Sequence, residues 1–106
     1  MLSFNIEKQV TWKFENEISR FSLHYYSDNP DIVYFFSLFV TDKYRNQGLG
    51  NAILEYAENF AVEHNFKTIS LKVEENTWMF DWYKRKGYIE INEKTGKYIW
   101  LEKSLA

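Results

Sequence analysis

"LFVTDKYRNQGLGNAILEYAENFA", residues 38–61, is the stretch from which the rest of the chain can be read. Two of the four glycines, Gly48 and Gly50, fall within three positions here, behind Arg45 and ahead of an apolar run. The hydrophobic period changes at this point. Upstream it alternates through Val10, Trp12 and Phe14, then Phe21, Leu23 and Tyr25, then Ile32, Tyr34, Phe36, Leu38 and Val40, which predicts three strands. "SDNPD", residues 27–31, holds the only proline and separates two of these runs as a turn, so an antiparallel meander is predicted. "IVYFFSLFV", residues 32–40, is apolar on both faces, which predicts a central strand covered on both sides. From Gly48 to about His64 the period is helical. At 100° per residue, Leu49, Ile53, Tyr56, Ala57, Phe60 and Ala61 share one face, while Asn51, Glu55, Glu58, Asn59 and Glu63 share the other.

Downstream, "KTISLKVE", residues 67–74, alternates through Ile69, Leu71 and Val73 as a strand. Strand, crossover helix and strand make a βαβ unit, which favours parallel pairing. Residues 76–86 read as a second helix ended by Gly87 at a C-cap. Residues 88–91 and 97–102 read as strands joined by "NEKTGK", where Gly96 suits a turn. The predicted fold class is mixed α+β: a central, mostly antiparallel twisted sheet with one parallel βαβ unit and about two helices. At 106 residues, 45% hydrophobic, the chain suits one domain spanning 1–106 and is too short for two.

Composition narrows the function classes. The 20% aromatic share suggests a core filled by large rings. A net charge of -2 with scattered basic residues offers no stripe for a phosphate backbone, so no nucleic-acid partner is expected. The absence of cysteine excludes disulfides, thiolate nucleophiles and Cys-ligated zinc. "MLSFNIEKQV" lacks the pattern of a signal peptide, and no stretch approaches the roughly 20 apolar residues of a membrane span, so a cytoplasmic protein without a membrane partner is expected.

The helix that starts at the glycines carries the chemical signal. Its unpaired N–H groups and partial positive charge attract phosphate, and glycines let phosphate approach without a Cβ in the way. A Walker loop needs Lys-Ser or Lys-Thr after its last glycine, and none follows Gly50. A dinucleotide fingerprint needs a third glycine where Ile53 stands, and a larger sheet than this chain supplies. The pattern that fits is R-x-x-G-x-G after a central strand.

In these residues the chain resembles the GNAT superfamily of acyl-CoA-dependent N-acetyltransferases, from about Ile32 to Ile91. Arg45, Gly48 and Gly50 stand at the family's [QR]-x-x-G-x-[GA] positions. "ISLKVEEN" is similar to the next strand of the family. "NTWMFDWYKRKGYIEI" is similar to its asparagine-to-tyrosine block through Asn76, Trp82, Tyr83, Gly87 and Tyr88. Each piece alone is weak, and their order and spacing together are strong.

The resemblance implies an N-acetyltransferase with acetyl-CoA as donor, a primary amine as acceptor and no metal. It places backbone N–H groups of Arg45, Asn46, Gln47, Gly48, Leu49, Gly50 and Asn51 around the coenzyme pyrophosphate. It pairs the pantetheine arm with Leu38, Phe39 and Val40, with the Leu38 amide donating to the thioester carbonyl. Asn76 and Tyr83, seven apart, are expected to face the same gap, with Tyr83 protonating the departing thiolate. Asn76 also suits a helix N-cap. Arg45 reads equally as a phosphate ligand or a surface charge, and His24 and His64 read as structural, His64 on the core-facing edge of its helix.

Two departures bear on catalysis. Some members carry a glutamate base four residues before Leu38, where this chain has Tyr34; Glu74 or Glu75 is the remaining carboxylate candidate, acting through water. The expected N-terminal helices are also missing, which predicts an open acceptor side suited to a protein lysine or N-terminus, or to a partner that completes the pocket. A homodimer is compatible with this reading. The competing reading is a non-catalytic acyl-CoA-binding or protein-interaction module of the same fold.

Overall fold

In the computed structural model the described residues are 9–44 and 48–105. The strands are β1 (Gln9–Glu15), β2 (Ser19–Tyr26), β3 (Ile32–Val40), β4 (Thr68–Glu74), β5 (Ile89–Thr95) and β6 (Tyr98–Ser104); the helices are α1 (Leu49–Glu63) and α2 (Trp78–Arg85). They form one six-stranded sheet in the order β1-β2-β3-β4-β6-β5. Every neighbouring pair is antiparallel except β3 and β4, which are parallel and joined through α1. This is the mixed α+β architecture the periodicity predicts, with β3 central.

Local chemistry sets the turns. Asn16 Oδ1 accepts from the backbone N–H groups of Ile18 and Ser19, both at 2.9 Å, and so shapes the β1–β2 connection as an Asx-type turn. The β5 strand runs further than expected, to Thr95, and β6 starts at Tyr98, one residue later than expected, so the hairpin turns tightly at Gly96 (φ 61) instead of through the whole of "NEKTGK".

The core lies between one face of the sheet and the helices. Leu23, Val33, Ile69, Leu71 and Leu101 pack there against Ile53, Leu54, Ala57 and Ala61 of α1. Full burial of each large aliphatic contributes roughly 1.5–3 kcal/mol. The helical wheel finds this face with two exceptions. Leu54 is buried and Tyr56 is 54% exposed, at the rim beside Phe14 and Phe21. Glu58, assigned to the solvent side, is half-buried and holds Lys103 Nζ with both oxygens at 3.0 and 3.1 Å, tying α1 to β6.

The expectation that β3 is covered on both sides is corrected. Val33 and Phe35 are buried beneath the helices, whereas Tyr34 and Phe36 lie half-buried on the opposite face, beside Trp100. Both described helices pack on the same face. The apolar run on the other face is aromatic, and rings stacked on one another need no helix above them to become partly buried.

α2 begins two residues later than expected, and its N-cap is Thr77, not Asn76. The Thr77 hydroxyl accepts from the Phe80 N–H at 3.3 Å and donates to the Glu74 carbonyl at 2.8 Å. Asn76 sits before the helix at φ 60, the left-handed bend that turns β4 toward α2 and that asparagine tolerates better than most residues. Asn76 and Tyr83 therefore do not share a helix face. The helix ends as expected around Gly87 (φ 97). Tyr88 N–H reaches the Tyr83 carbonyl and Gly87 N–H the Lys84 carbonyl, closing a Schellman motif.

Candidate active site

β3 and β4 pair only at their starts, Ile32 with Thr68, Val33 with Ile69 and Tyr34 with Ser70. Beyond Tyr34 the sheet splits, while β4 stays paired with β6 as far as Glu74. The cause is visible in β3. Arg20 pairs with Phe39 and Ser22 with Phe36, so Phe21 of β2 stands opposite two residues, Ser37 and Leu38. Ser37 takes φ 62, and the extra residue makes a β-bulge.

A one-residue bulge reverses which side chains face which way. Before it, Val33 and Phe35 point to the core; after it, Leu38 and Val40 do. The alternation Ile32, Tyr34, Phe36, Leu38, Val40 is thus two half-strands of opposite phase. The one polar residue in the run, Ser37, marks the break. A β-branched side chain at that φ costs about 1–3 kcal/mol. Ser37→Val is expected to lower the stability by that amount in urea unfolding, while Ser37→Gly holds or raises it. Equal stability of all three would mean that no positive φ is needed at this position.

Along the split runs a groove of about 800 Å³, lined by Leu38, Phe39 and Val40 of β3, Tyr44, residues 48–51 at the start of α1, and Trp78, Met79 and Trp82 of α2. Seven of the residues expected at the site, Leu38, Phe39, Val40, Gly48, Leu49, Gly50 and Asn51, are brought together here. Gly48 is the α1 N-cap at φ 76 and supplies no side-chain cap, and the first turn contains no acidic residue. The first N–H groups of α1 therefore meet the groove with neither a capping side chain from Gly48 nor a carboxylate in that turn. A Cβ on Gly48 would meet nothing within 4 Å, whereas one on Gly50 would touch the Trp82 ring at 3.7 Å. Gly48 is demanded by its φ, whereas a Cβ at Gly50 would make only an ordinary van der Waals contact with Trp82.

Arg45, Asn46 and Gln47 lie outside the described residues. Tyr83 and Asn76 do not line the groove. Tyr83 is 4% exposed, its ring edge-on to Trp82 at 4.9 Å and to Tyr88 at 5.6 Å. Burial pushes its phenol well above the ordinary tyrosine range, so it stays protonated. The Tyr88 hydroxyl behind it is buried without a hydrogen-bond partner among the described residues.

The fallback carboxylates are engaged elsewhere: Glu74 pairs with Lys97 at 3.2 Å and Glu75 with Lys94 at 2.7 Å, both in the β5–β6 hairpin. His64 is exposed at the α1 C-terminus, not on a core-facing edge. It stacks on Phe60 at 3.9 Å, and its Nδ1 lies 2.8 Å from the Phe60 carbonyl. His24 lies on the face opposite the helices, between Thr11 Oγ1 at 3.2 Å and Ser22 Oγ at 2.9 Å. Burial, then Lys13, pull its pKa below the ordinary histidine value. Tyr34 is on that face too, its phenol raised first by burial and further by Asp28 and Glu93.

Sequence reasoning missed Tyr44, Trp78, Met79 and Trp82 as groove residues. A signal existed for two of them: Trp78 and Trp82 are four apart on a helix, hence on one face, and Trp78 is 72% exposed. Among the described residues no group of three His, Asp or Glu could hold a metal ion, and no helix is long and apolar enough to cross a membrane.

The fold is similar to that of solved acetyltransferases. An acetyltransferase from Bacillus cereus superposes with TM-score 0.68 at 20% identity, covering 92% of this chain and 74% of that one. The ribosomal-protein-S18-alanine N-acetyltransferase from Escherichia coli gives 0.72 at 19%, covering 92% and 70%. The PaiA N-acetyltransferase from Thermoplasma acidophilum, solved in complex with coenzyme A, gives 0.72 at 18%, covering 82% and 53%. At these identities the likeness is one of fold. The acetyltransferase (GNAT) family model matches residues 5–88, and the chain belongs to that family. No curated protein matches it.

Proposed function

We propose that this chain transfers an acetyl group from acetyl-CoA to a primary amine, by direct attack of the amine on the thioester in a ternary complex. The groove carries the reading: a strand edge released by the split and a helix N-terminus without a side-chain cap open onto the same space. Those two features suit the two halves of coenzyme A. The N–H groups of Gly48, Leu49, Gly50 and Asn51, with those of Arg45, Asn46 and Gln47, hold the pyrophosphate. Leu38, Phe39 and Val40 take the pantetheine arm as an added strand.

In the chemical step the amine nitrogen forms a bond to the acetyl carbon and the carbon–sulfur bond breaks. The Leu38 N–H stabilises the carbonyl oxygen as charge develops there. Tyr83, protonated in its buried setting, gives a proton to the leaving sulfur and recovers one from solvent. The proton lost by the amine leaves through the face of the sheet that no described helix covers.

Acetyl-CoA is expected to raise the unfolding temperature, because a ligand that binds only the native state stabilises it by about 2.7 kcal/mol at 100 times its Kd. A thermal scan with millimolar acetyl-CoA reads this directly, and turnover against a panel of primary amines reads the reaction. An unchanged transition would overturn the assignment. A shift without turnover on any amine would favour the non-catalytic module.

A further inference from the structure

The sheet face opposite the helices holds a second cavity, also of about 800 Å³, which the coenzyme groove does not use. Its wall is aromatic. Tyr34 and Phe36 each stand edge-on to Trp100, at 5.8 and 6.2 Å, and Tyr26 stands edge-on to Tyr34 at 5.5 Å. Three carboxylates join the lining: Asp28 from the turn before β3, Glu93 from β5 and Glu102 from β6. Among the described residues none of the three has an ion-pair partner, whereas Glu58, Glu74, Glu75 and Glu90 do. Lys72 does not line the cavity and lies over the Tyr98 ring, 5.5 Å from its centroid.

Ring faces and carboxylates both attract cations, and together they repel an anion. The volume is that of a small-molecule site. Its position is specific. The cavity includes Tyr34 and Ser70, the last residues to pair before the sheet splits, and Phe36, directly before the bulge. Leu38, directly after the bulge, belongs to the coenzyme groove. A ligand on this face thus meets the other groove across the split. Glu102 pairs with Ser70, level with Tyr34 and two residues upstream of Phe36. Two strand residues span about 7 Å along the strand and two strand spacings about 10 Å across it, so the backbone offset between Glu102 and Phe36 is on the order of 12 Å, which the Glu102 side chain and a short aliphatic diamine bridge together.

We propose that this cavity is the acceptor site and that the acceptor is an aliphatic di- or polyamine. One amine is directed past Phe36 and Trp100 to the split, and a second, still charged, is held by Glu102 with Glu93 and Asp28. The assignment rests on the acetyl-transfer reading, and its test separates the two. Calorimetry is run with 1,5-diaminopentane and with n-pentylamine as the probe lacking the second charge. The diamine is expected to bind at least about tenfold tighter, as one charge-assisted contact implies. Glu102→Gln and the pair Asp28→Asn with Glu93→Gln are each expected to remove most of that preference. These exposed or half-exposed positions are isosterically replaced, and circular dichroism confirms the fold of each variant. No preference for the diamine, a preference indifferent to the three carboxylates, or faster acetylation of a lysine peptide than of the diamine would overturn the proposal. Acetyl-CoA binding is read in the same protein. If that fails while carboxylate-dependent diamine binding persists, the transfer reading is lost and the cation cavity stands; the converse removes the cavity alone.

Discussion

Tyr83→Phe is expected to cut acetyl-transfer turnover by at least about tenfold, and by as much as ~10,000-fold, while acetyl-CoA affinity stays within a few-fold of wild type. The substitution keeps the ring, and with it the edge-on packing against Trp82 and Tyr88, and removes only the hydroxyl. Departure of the thiolate creates a charge that a positioned phenol neutralises by giving its proton. Because burial raises the Tyr83 phenol, it stays protonated at working pH, so the role proposed for it is that of a proton donor and not of the base that accepts the amine proton. The smallest expected loss, tenfold, corresponds to about 1.4 kcal/mol of transition-state stabilisation. Steady-state kinetics with a separately measured Kd distinguishes the roles. If both kcat and Kd match wild type, Tyr83 is a core residue and water or another group protonates the sulfur.

Gly48→Val is expected to weaken acetyl-CoA binding by at least about tenfold, as loss of one hydrogen bond from a backbone N–H to a charged phosphate implies. Valine at φ 76 is strained, and its side chain enters the open space beside the first turn of α1. Strain alone would also lower stability, so the matched control is Gly96→Val. Gly96 has φ 61 and equally empty surroundings, but lies in the β5–β6 hairpin away from the groove. Both variants are expected to lose about 1–3 kcal/mol of stability, and only Gly48→Val to lose affinity. Equal acetyl-CoA binding by the two would make Gly48 a structural turn residue and nothing more.

The elements that local pattern specifies were legible in the chain. Six strands and two helices, the parallel pairing across α1 and the central place of β3 follow from period and spacing, since each depends on residues near one another in sequence. The Gly48 turn was legible for the same reason. Tyr83 was legible only as a position in a motif. Its burial behind Trp82 depends on how α2 settles on β4 and α1, which no run of eight residues specifies.

The bulge marks where that reading stopped. An inserted residue at Ser37 leaves the hydrophobic string of β3 unbroken to the eye, yet it reverses the phase of everything after it. From the string alone, Phe36 and Leu38 share a face; in the folded sheet they line different cavities. Likewise, Asp28, Glu93 and Glu102 are unremarkable charges along the chain and come together only because β5, β6 and the β2–β3 turn border one concavity.

The sequence by itself determined the element types, the glycine-led start of α1 and the family, because periodicity, backbone freedom and motif spacing are properties of neighbouring residues. Only the tertiary structure decided which face of the sheet is covered, where β3 and β4 part, and which aromatic rings and carboxylates meet. Those depend on strand register and helix docking between distant segments, and a one-residue shift in register exchanges one face of a strand for the other.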